Sequence, residues 1–135
     1  MKLGYVIVYV EDVRKTMAFY IEAFGFETKM MYEEDGVVDY GELKTGETVL
    51  GFASHSLGEM NLQGKYEKSS AEKMPFGMEL ALVSEDVTAD YEKAVTAGAL
   101  AVAPPTEKNW GQTVAYVRAI EGTLIELCSP ITTSE

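Results

Sequence analysis

Two glutamates, Glu79 and Glu126, occur in otherwise apolar stretches of the chain. A carboxylate among apolar side chains costs free energy unless it has a partner. If both acids face one space, their charges repel each other and the pKa of one must rise. A proton shared between them would make a general base, and either acid could anchor a ligand. The alternative is that Glu126 is a structural acid, hydrogen-bonded to Tyr5, Arg118 or water.

Few other side chains in the sequence could do chemistry. His55 is the only histidine, and it is either a turn residue or part of the rim of a site. Cys128 is the only cysteine, and without an activating motif it is expected to be a buried apolar residue. Trp110 is either a packing residue or an aromatic wall that stacks a flat ligand. Tyr5 belongs either to the core or to the floor of a site, and Phe52, although of a type more often found in cores, is a ligand-binding candidate.

An internal repeat indicates how these residues are positioned. The apolar run and acidic pair at 7–13 recur at 81–87, an offset of 85 − 11 = 74. The pattern of residues 48–52 recurs at 123–127, an offset of 126 − 51 = 75. Two matches at nearly one offset predict a duplicated module. Two long modules do not form a solenoid, so we expect them to pair and enclose something between them.

Turn signals and apolar periodicity predict the elements of both modules. In the first module a strand leads to Asp12, a good helix N-cap, and Gly25 ends the helix that follows. In the second module, Asp86 is the predicted N-cap and Gly98 ends the helix. Three strands are predicted after the first helix and three after the second, the first of these ending at Ala103 before a rigid Pro104–Gly111 turn. The modules are predicted at 1–56 and 76–131, with a loop at 57–75 acting as linker or lid, and the tail 132–135 is expected to fray.

Composition limits the classes of function. A chain of 135 residues is expected to be a single domain. The net charge of −11 disfavours nucleic acid and anionic membrane surfaces as partners. A single cysteine gives no sign of an oxidising compartment, and the early apolar run is too short to span a membrane. We therefore expect a cytoplasmic protein.

The order and spacing of three segments resemble the vicinal oxygen chelate superfamily. This group contains the glyoxalase-type lactoylglutathione lyases, the bleomycin and fosfomycin resistance proteins and the extradiol dioxygenases. The resemblance implies an α+β fold of two tandem βαβββ modules that form a cleft, in a protein that is usually a homodimer. The segments are Tyr9–Val13 with Phe19–Tyr20 and Phe24–Phe26, Glu85–Val87 with Ala97–Ala99, and Val114–Arg118 with Glu121–Leu127.

Metal-dependent members of that family place one ligand on each of four equivalent strands. Matching strand by strand assigns these positions to Tyr5, Gly51, Glu79 and Glu126. Glycine cannot bind a metal, and a phenol, which titrates near ~10, is a poor ligand at neutral pH. A firm zinc site normally uses three or four protein ligands, so Glu79 and Glu126 are only weak candidates for a divalent metal such as Mg²⁺ or Mn²⁺. No firm cofactor is predicted.

Two kinds of function follow from the resemblance. In the first, the protein binds a small, cationic or partly aromatic molecule in the cleft between its modules, without a tightly held catalytic metal. In the second, it is a lyase or isomerase of the lactoylglutathione lyase type, with Glu126 and Glu79 as general base or weak metal ligands. The absent ligands favour the binding protein. Tyr5, Gly51, Trp110, His55 and Phe52 are the predicted ligand-binding residues.

Overall fold

The computed structural model describes residues 1–131, and the tail expected to fray, 132–135, lies outside them. The chain divides into two compact units, Met1–Ser69 and Ser70–Glu135. Each unit has one four-stranded sheet with an α-helix between its first and second strands. The predicted α+β fold of repeated βαβββ modules is therefore confirmed.

The first unit contains five elements of the repeat and one further helix. Its sheet has the order β1-β4-β3-β2, with β1 parallel to β4 and the other neighbours antiparallel. The elements are β1 (Tyr5–Val10), α1 (Val13–Phe24), β2 (Glu27–Glu34), β3 (Val37–Lys44), β4 (Val49–Ser54) and α2 (His55–Leu62).

Local chemistry sets the limits of α1. The Asp12 side chain accepts a hydrogen bond from the Lys15 amide at 3.0 Å, which satisfies one of the free donors of the first turn. Gly25 ends the helix with φ at 75°, a left-handed conformation that glycine adopts without steric penalty. Between them, Met17 and Tyr20 are fully buried, and α1 packs against β3 and β4.

The second unit repeats this arrangement. Its sheet has the order β5-β8-β7-β6, and α3 packs on the core face of β6, β7 and β8. The side chain of Asp86 accepts from the Ala89 amide at 3.1 Å, as Asp12 does for α1. The elements are β5 (Leu80–Val83), α3 (Val87–Ala97), β6 (Leu100–Glu107), β7 (Thr113–Arg118) and β8 (Leu124–Cys128).

Strand register gives the repeat a structural meaning. In the first unit Ile7 lies opposite Gly51, and in the second unit Ala81 lies opposite Glu126. These pairs are separated by 81 − 7 = 74 and 126 − 51 = 75 residues, the two offsets in the sequence. Gly51 and Glu126 therefore occupy the same place in their sheets.

The segment after the first sheet differs from its prediction. Residues 57–75 were expected to form a linker or lid loop, but 57–62 belong to α2, which begins at His55. The Ser54 hydroxyl caps this helix by accepting from the Leu57 amide at 3.2 Å, and it donates to Asp39 at 2.7 Å. The helix carries no clear apolar stripe, so periodicity could not reveal it.

The strand after α3 also differs from its prediction. It was expected to end at Ala103, but β6 continues through Pro104 and Pro105 to Glu107. Because β6 is an edge strand and its pairing shifts register on both sides of Ala103, the prolines remove no essential ladder bond. Among residues 1–131, no helix is long and apolar enough to cross a bilayer.

Candidate functional site

Each sheet has a core face, which packs against its helix, and a far face on the other side. Leu50 and Phe52 of β4 point to the core face, so strand alternation sends Gly51 to the far face. The same alternation in β8 buries Ile125 and Leu127 and sends Glu126 to the far face. The far faces therefore carry Gly51 in the first unit and Glu126 in the second.

In the second unit, Glu126 has a specific partner. Tyr116 lies directly opposite it on β7, and the Tyr116 hydroxyl donates to Glu126 Oε1 at 2.8 Å. This hydrogen bond, together with burial, raises the pKa of Tyr116 to about 12. The phenol therefore stays protonated at neutral pH. Arg118, which we considered as a partner for Glu126, instead donates to backbone carbonyls of Gly122 and of the segment 70–73.

Glu79 lies one residue before β5 and near Glu126. Partial burial raises its pKa above the ordinary glutamate value, and the negative charge of Glu126 raises it further. The expected repulsion between the two acids is thus present, and Glu79 is the acid whose pKa rises. Glu79 is also solvent-exposed, so it can exchange a proton with water or with a ligand.

Cys128 is on the far face of the same strand as Glu126. It is 5% exposed, and its thiol points to the Leu82 carbonyl oxygen at 3.7 Å. Burial raises the pKa of the thiol, and the neighbouring carboxylate of Glu126 acts in the same direction. A protonated buried thiol is a poor nucleophile, which supports the structural interpretation of Cys128.

In the first unit, the far face around Gly51 is filled by Tyr40. A Cβ atom at residue 51 would lie 2.7 Å from the Tyr40 hydroxyl and 3.3 Å from Ile7 Cγ1. The same hydroxyl donates to Glu42 Oε2 at 2.7 Å. Burial, followed by this hydrogen bond, raises the pKa of Tyr40 far above that of a free phenol. Gly51 is therefore the residue that makes room for the Tyr40–Glu42 pair.

Tyr5 begins β1 on the far face of the first sheet. It is 53% exposed, so the interpretation as a core residue is wrong, and its place on the floor of a site stays a prediction. Its phenol lies close enough to Tyr40 to contribute to the raised pKa of that residue. Tyr5, Tyr40 and Glu42 thus form one polar surface beside Gly51.

His55 opens α2 and belongs to a separate aromatic group of the first unit. Its Nδ1 lies 2.7 Å from the Tyr66 hydroxyl, and the two rings stack with centroids 5.8 Å apart. The Tyr9 ring contacts the other side of this group, 4.9 Å from Tyr66. Burial lowers the pKa of His55, and Lys68 lowers it further, so the imidazole is neutral at pH 7.

Two aromatic predictions have different outcomes. Phe52 was predicted to bind ligand, but it is fully buried on the core face, with its ring 4.8 Å from Tyr20 of α1. That prediction is corrected, because a ligand could reach Phe52 only by displacing the helix. Trp110 is 64% exposed, and its indole donates to Gln112 at 2.8 Å. Trp110 is therefore not a packing residue, and its ring is accessible.

The donors at the four family positions do not fit a firmly bound metal. They comprise a phenol, a glycine and two carboxylates, and one of these carboxylates already accepts a hydrogen bond from Tyr116. Over the residues that the structure describes, no three His, Cys, Asp or Glu side chains are grouped as a metal ion requires. We derive no chemical step through a metal at this site.

Three residues of the far faces were missed by sequence reasoning: Tyr40, Glu42 and Tyr116. Tyr116 and Glu42 lie directly across the strand ladder from Glu126 and Gly51. The register of the antiparallel strands identifies them as neighbours. Glu42 and Tyr116 are also related by the repeat offset, 116 − 42 = 74, which was the one signal for them in the sequence.

Comparisons with known proteins identify the family and the fold. The sequence model of the Glyoxalase/Bleomycin resistance protein/Dioxygenase superfamily matches residues 2–127. No curated protein sequence matches the chain. Solved structures below 25% identity share the fold. A glyoxalase/bleomycin resistance protein/dioxygenase family enzyme from Burkholderia phytofirmans PsJN is 24% identical, with a TM-score of 0.81, and the match covers 97% of this chain and 100% of that one.

Two further structures show the same similarity. TioX from Micromonospora sp. ML1 is 19% identical with a TM-score of 0.73, over 97% of this chain and 100% of its own. A glyoxalase-related enzyme from Fulvimarina pelagi is 18% identical with a TM-score of 0.76, over 98% of this chain and 94% of its own. The fold therefore recurs over nearly the whole length of all three chains.

The close approach of Tyr40 to Gly51 predicts a coupled pair of substitutions. Gly51→Ala should destabilise the protein by about 1–3 kcal/mol, because the new methyl group overlaps the Tyr40 hydroxyl. In a Tyr40→Phe background the same change should cost less, since the shortest contact is gone. Urea unfolding of all four proteins measures the coupling. Gly4→Ala is the control, because a Cβ there meets nothing within 4 Å. Equal costs in both backgrounds would contradict this account.

The charge of Glu126 predicts how Glu79 titrates. Glu126→Gln should lower the pKa of Glu79 towards the ordinary glutamate value, because removal of a neighbouring negative charge favours the ionised form. Carboxyl ¹³C chemical shifts followed from pH 3 to 9 measure the change. Glu107→Gln, at an exposed position of β6, is the control and should leave Glu79 unaltered. A Glu79 titration that is the same in all three proteins would show that burial alone sets its pKa.

Proposed function

Because this chain belongs to the glyoxalase/bleomycin resistance protein/dioxygenase superfamily, we propose that it binds a small molecule in the cleft that the family resemblance implies, without a tightly held catalytic metal. The observation that carries this proposal is the hydrogen bond from Tyr116 to Glu126. The Glu126 carboxylate, at a position where the family places a metal ligand, already accepts a hydrogen bond from the neutral Tyr116 phenol. In the first unit, Gly51 offers no ligand at the equivalent position.

The proposed ligand is cationic and partly aromatic. The net charge of −11 attracts cations, and the Tyr116 hydroxyl fixes the position of the Glu126 carboxylate. Exposed aromatic rings at Tyr5 and Trp110 can stack against a flat ligand or contact a cationic group. Neither ring needs to move from an apolar core to do so.

A second function, an enzyme of the lactoylglutathione lyase type, is favoured by one specific observation. The pKa of Glu79 is raised above the usual value by burial and by Glu126, in the direction that suits a general base at neutral pH. Glu79 would remove a proton from a carbon next to a carbonyl, while Glu126 stays hydrogen-bonded to Tyr116. The solved structures from Burkholderia phytofirmans and Fulvimarina pelagi are described as enzymes, which is the second reason to keep this alternative.

A thermal-shift experiment separates the two functions. The chelator-treated protein is melted alone, with Mg²⁺, Mn²⁺, Zn²⁺ or Ni²⁺, and with the cations proflavine and bleomycin. A ligand at about 100 times its Kd stabilises the native state by about 2.7 kcal/mol, a shift of several degrees. We expect proflavine or bleomycin to raise the melting temperature and the metals to leave it almost unchanged. The anionic dye fluorescein is the matched control and should give no shift.

The opposite pattern would support the enzyme. A large rise with one divalent metal, lost in Glu126→Gln and absent with both cations, would overturn the binding protein. Glu107→Gln should retain any metal response, because this exposed residue lies at the far end of the sheet from β5.

We also propose that the protein is a homodimer, as the family resemblance implies. Size-exclusion chromatography with light scattering should give a mass near twice 14.8 kDa. The measurement is made at two protein concentrations, at least tenfold apart, so that dissociation is detected. A mass of one chain at both concentrations would contradict the dimer.

A further inference from the structure

Each sheet holds one hydrogen bond between a tyrosine hydroxyl and a glutamate carboxylate on its far face. Tyr40 donates to Glu42 at 2.7 Å in the first unit, and Tyr116 donates to Glu126 at 2.8 Å in the second. Charged hydrogen bonds of this length are among the stronger ones in proteins. The two units therefore share a chemical group that is not visible from their aligned residues.

The two pairs are built from different positions of the same ladder. Glu126 is on β8 and Tyr116 is opposite it on β7. In the first unit, the place of Glu126 is taken by Gly51, and the residue opposite is Glu42. The acid of the first unit, Glu42, therefore lies at the place that Tyr116 occupies in the second unit, one strand away from the place of Glu126. Tyr40, two residues earlier on β3, supplies the hydroxyl.

Gly51 is a requirement of this arrangement. A side chain at residue 51 would meet the Tyr40 hydroxyl at 2.7 Å, so the pair exists only because the position is empty of a Cβ atom. Gly51, which offers no ligand at a family metal position, is therefore also the residue that leaves room for the Tyr40 hydroxyl, the donor to Glu42.

The Glu42 carboxylate is largely buried but still has free hydrogen-bond acceptor sites. Its side chain is 14% exposed, and Lys29 lies 3.8 Å from Oε1, at the limit of an ion pair. An ionised carboxylate has about four acceptor sites, of which Tyr40 occupies one. A partly desolvated carboxylate with free acceptor sites interacts with a cation more strongly than a surface glutamate does. Lys29 is itself 47% exposed, so a ligand cation can replace it.

We propose that Glu42 is the specificity-determining residue of the first unit, which binds an ammonium, amidinium or guanidinium group of the ligand, and that Tyr40 is its positioning residue. This inference rests on the proposed binding function and adds a residue to it. Glu42 selects cations over neutral molecules of the same shape. Tyr40 holds the carboxylate beside Gly51 and keeps it facing away from the core.

Fluorescence titration with proflavine tests this assignment. Glu42→Gln keeps the size and the acceptor oxygen but removes the charge, and it should weaken proflavine binding about tenfold or more. Glu47→Gln makes the same charge change at an exposed residue between β3 and β4 and should stay within about twofold of the wild type at 0.15 M salt. Glu42→Ala also removes the charge and should weaken binding at least as much, which keeps the assignment testable if the glutamine variant folds poorly.

Tyr40→Phe tests the positioning role. Binding should weaken by a smaller factor than in Glu42→Gln. In a Glu42→Gln background the same substitution should weaken binding no further, because the tyrosine acts through the carboxylate. A purely structural effect of Tyr40 would lower affinity by the same factor in both backgrounds. Tyr32→Phe, which removes a tyrosine hydroxyl that contacts Glu34 at the surface, is the matched control.

The outcomes separate this inference from the proposed function. Saturable proflavine binding that is equal in the wild type, Glu42→Gln and Glu47→Gln would overturn the role of Glu42 and leave the binding function intact. Absence of saturable binding in the wild-type protein would overturn both. Equal weakening by Glu42→Gln and Glu47→Gln would show that only net charge matters, and this also overturns the assignment.

Discussion

The hydrogen bond from a tyrosine hydroxyl to a glutamate carboxylate is the interaction on which the polar face of each sheet depends. An unpartnered carboxylate on a half-buried strand face would carry a large desolvation cost. Tyr116 removes much of that cost for Glu126, and Tyr40 does so for Glu42. Burial and these hydrogen bonds raise the pKa of both tyrosines, so the phenols stay protonated and act as donors. Each pair therefore holds a carboxylate in a fixed position on a strand.

The apolar cores under the helices determine where these pairs lie. Met17 and Tyr20 of α1 pack on the core face of the first sheet and fix which side of β3 and β4 is buried. Strand alternation then places the polar residues between the buried ones on the far face. A shift of one residue in register would exchange the two faces, so the core protects the geometry of the site.

The same backbone supports different chemistry in the two units. At equivalent places on β8 and β4, the second unit has Glu126 and the first has Gly51. The residues opposite them on β7 and β3 are Tyr116 and Glu42. Duplication gives two copies of one frame, and each copy can then vary its side chains independently. One βαβββ frame therefore carries different side chains at equivalent places in the two units.

The sequence by itself determined the repeat, the α+β fold, the caps at Asp12 and Asp86, and the repulsion between the two acids. These features depend on period, on turn chemistry and on offsets along the chain, all of which a sequence displays. It did not reveal α2, which lacks an apolar stripe, or the continuation of β6 through two prolines at a sheet edge. Only the tertiary structure decided that Phe52 is core, that Tyr116 is the partner of Glu126, and that Tyr40 fills the space over Gly51. The physical reason is that these contacts join residues on adjacent strands, and the pairing of strands is set by the packing of the whole unit.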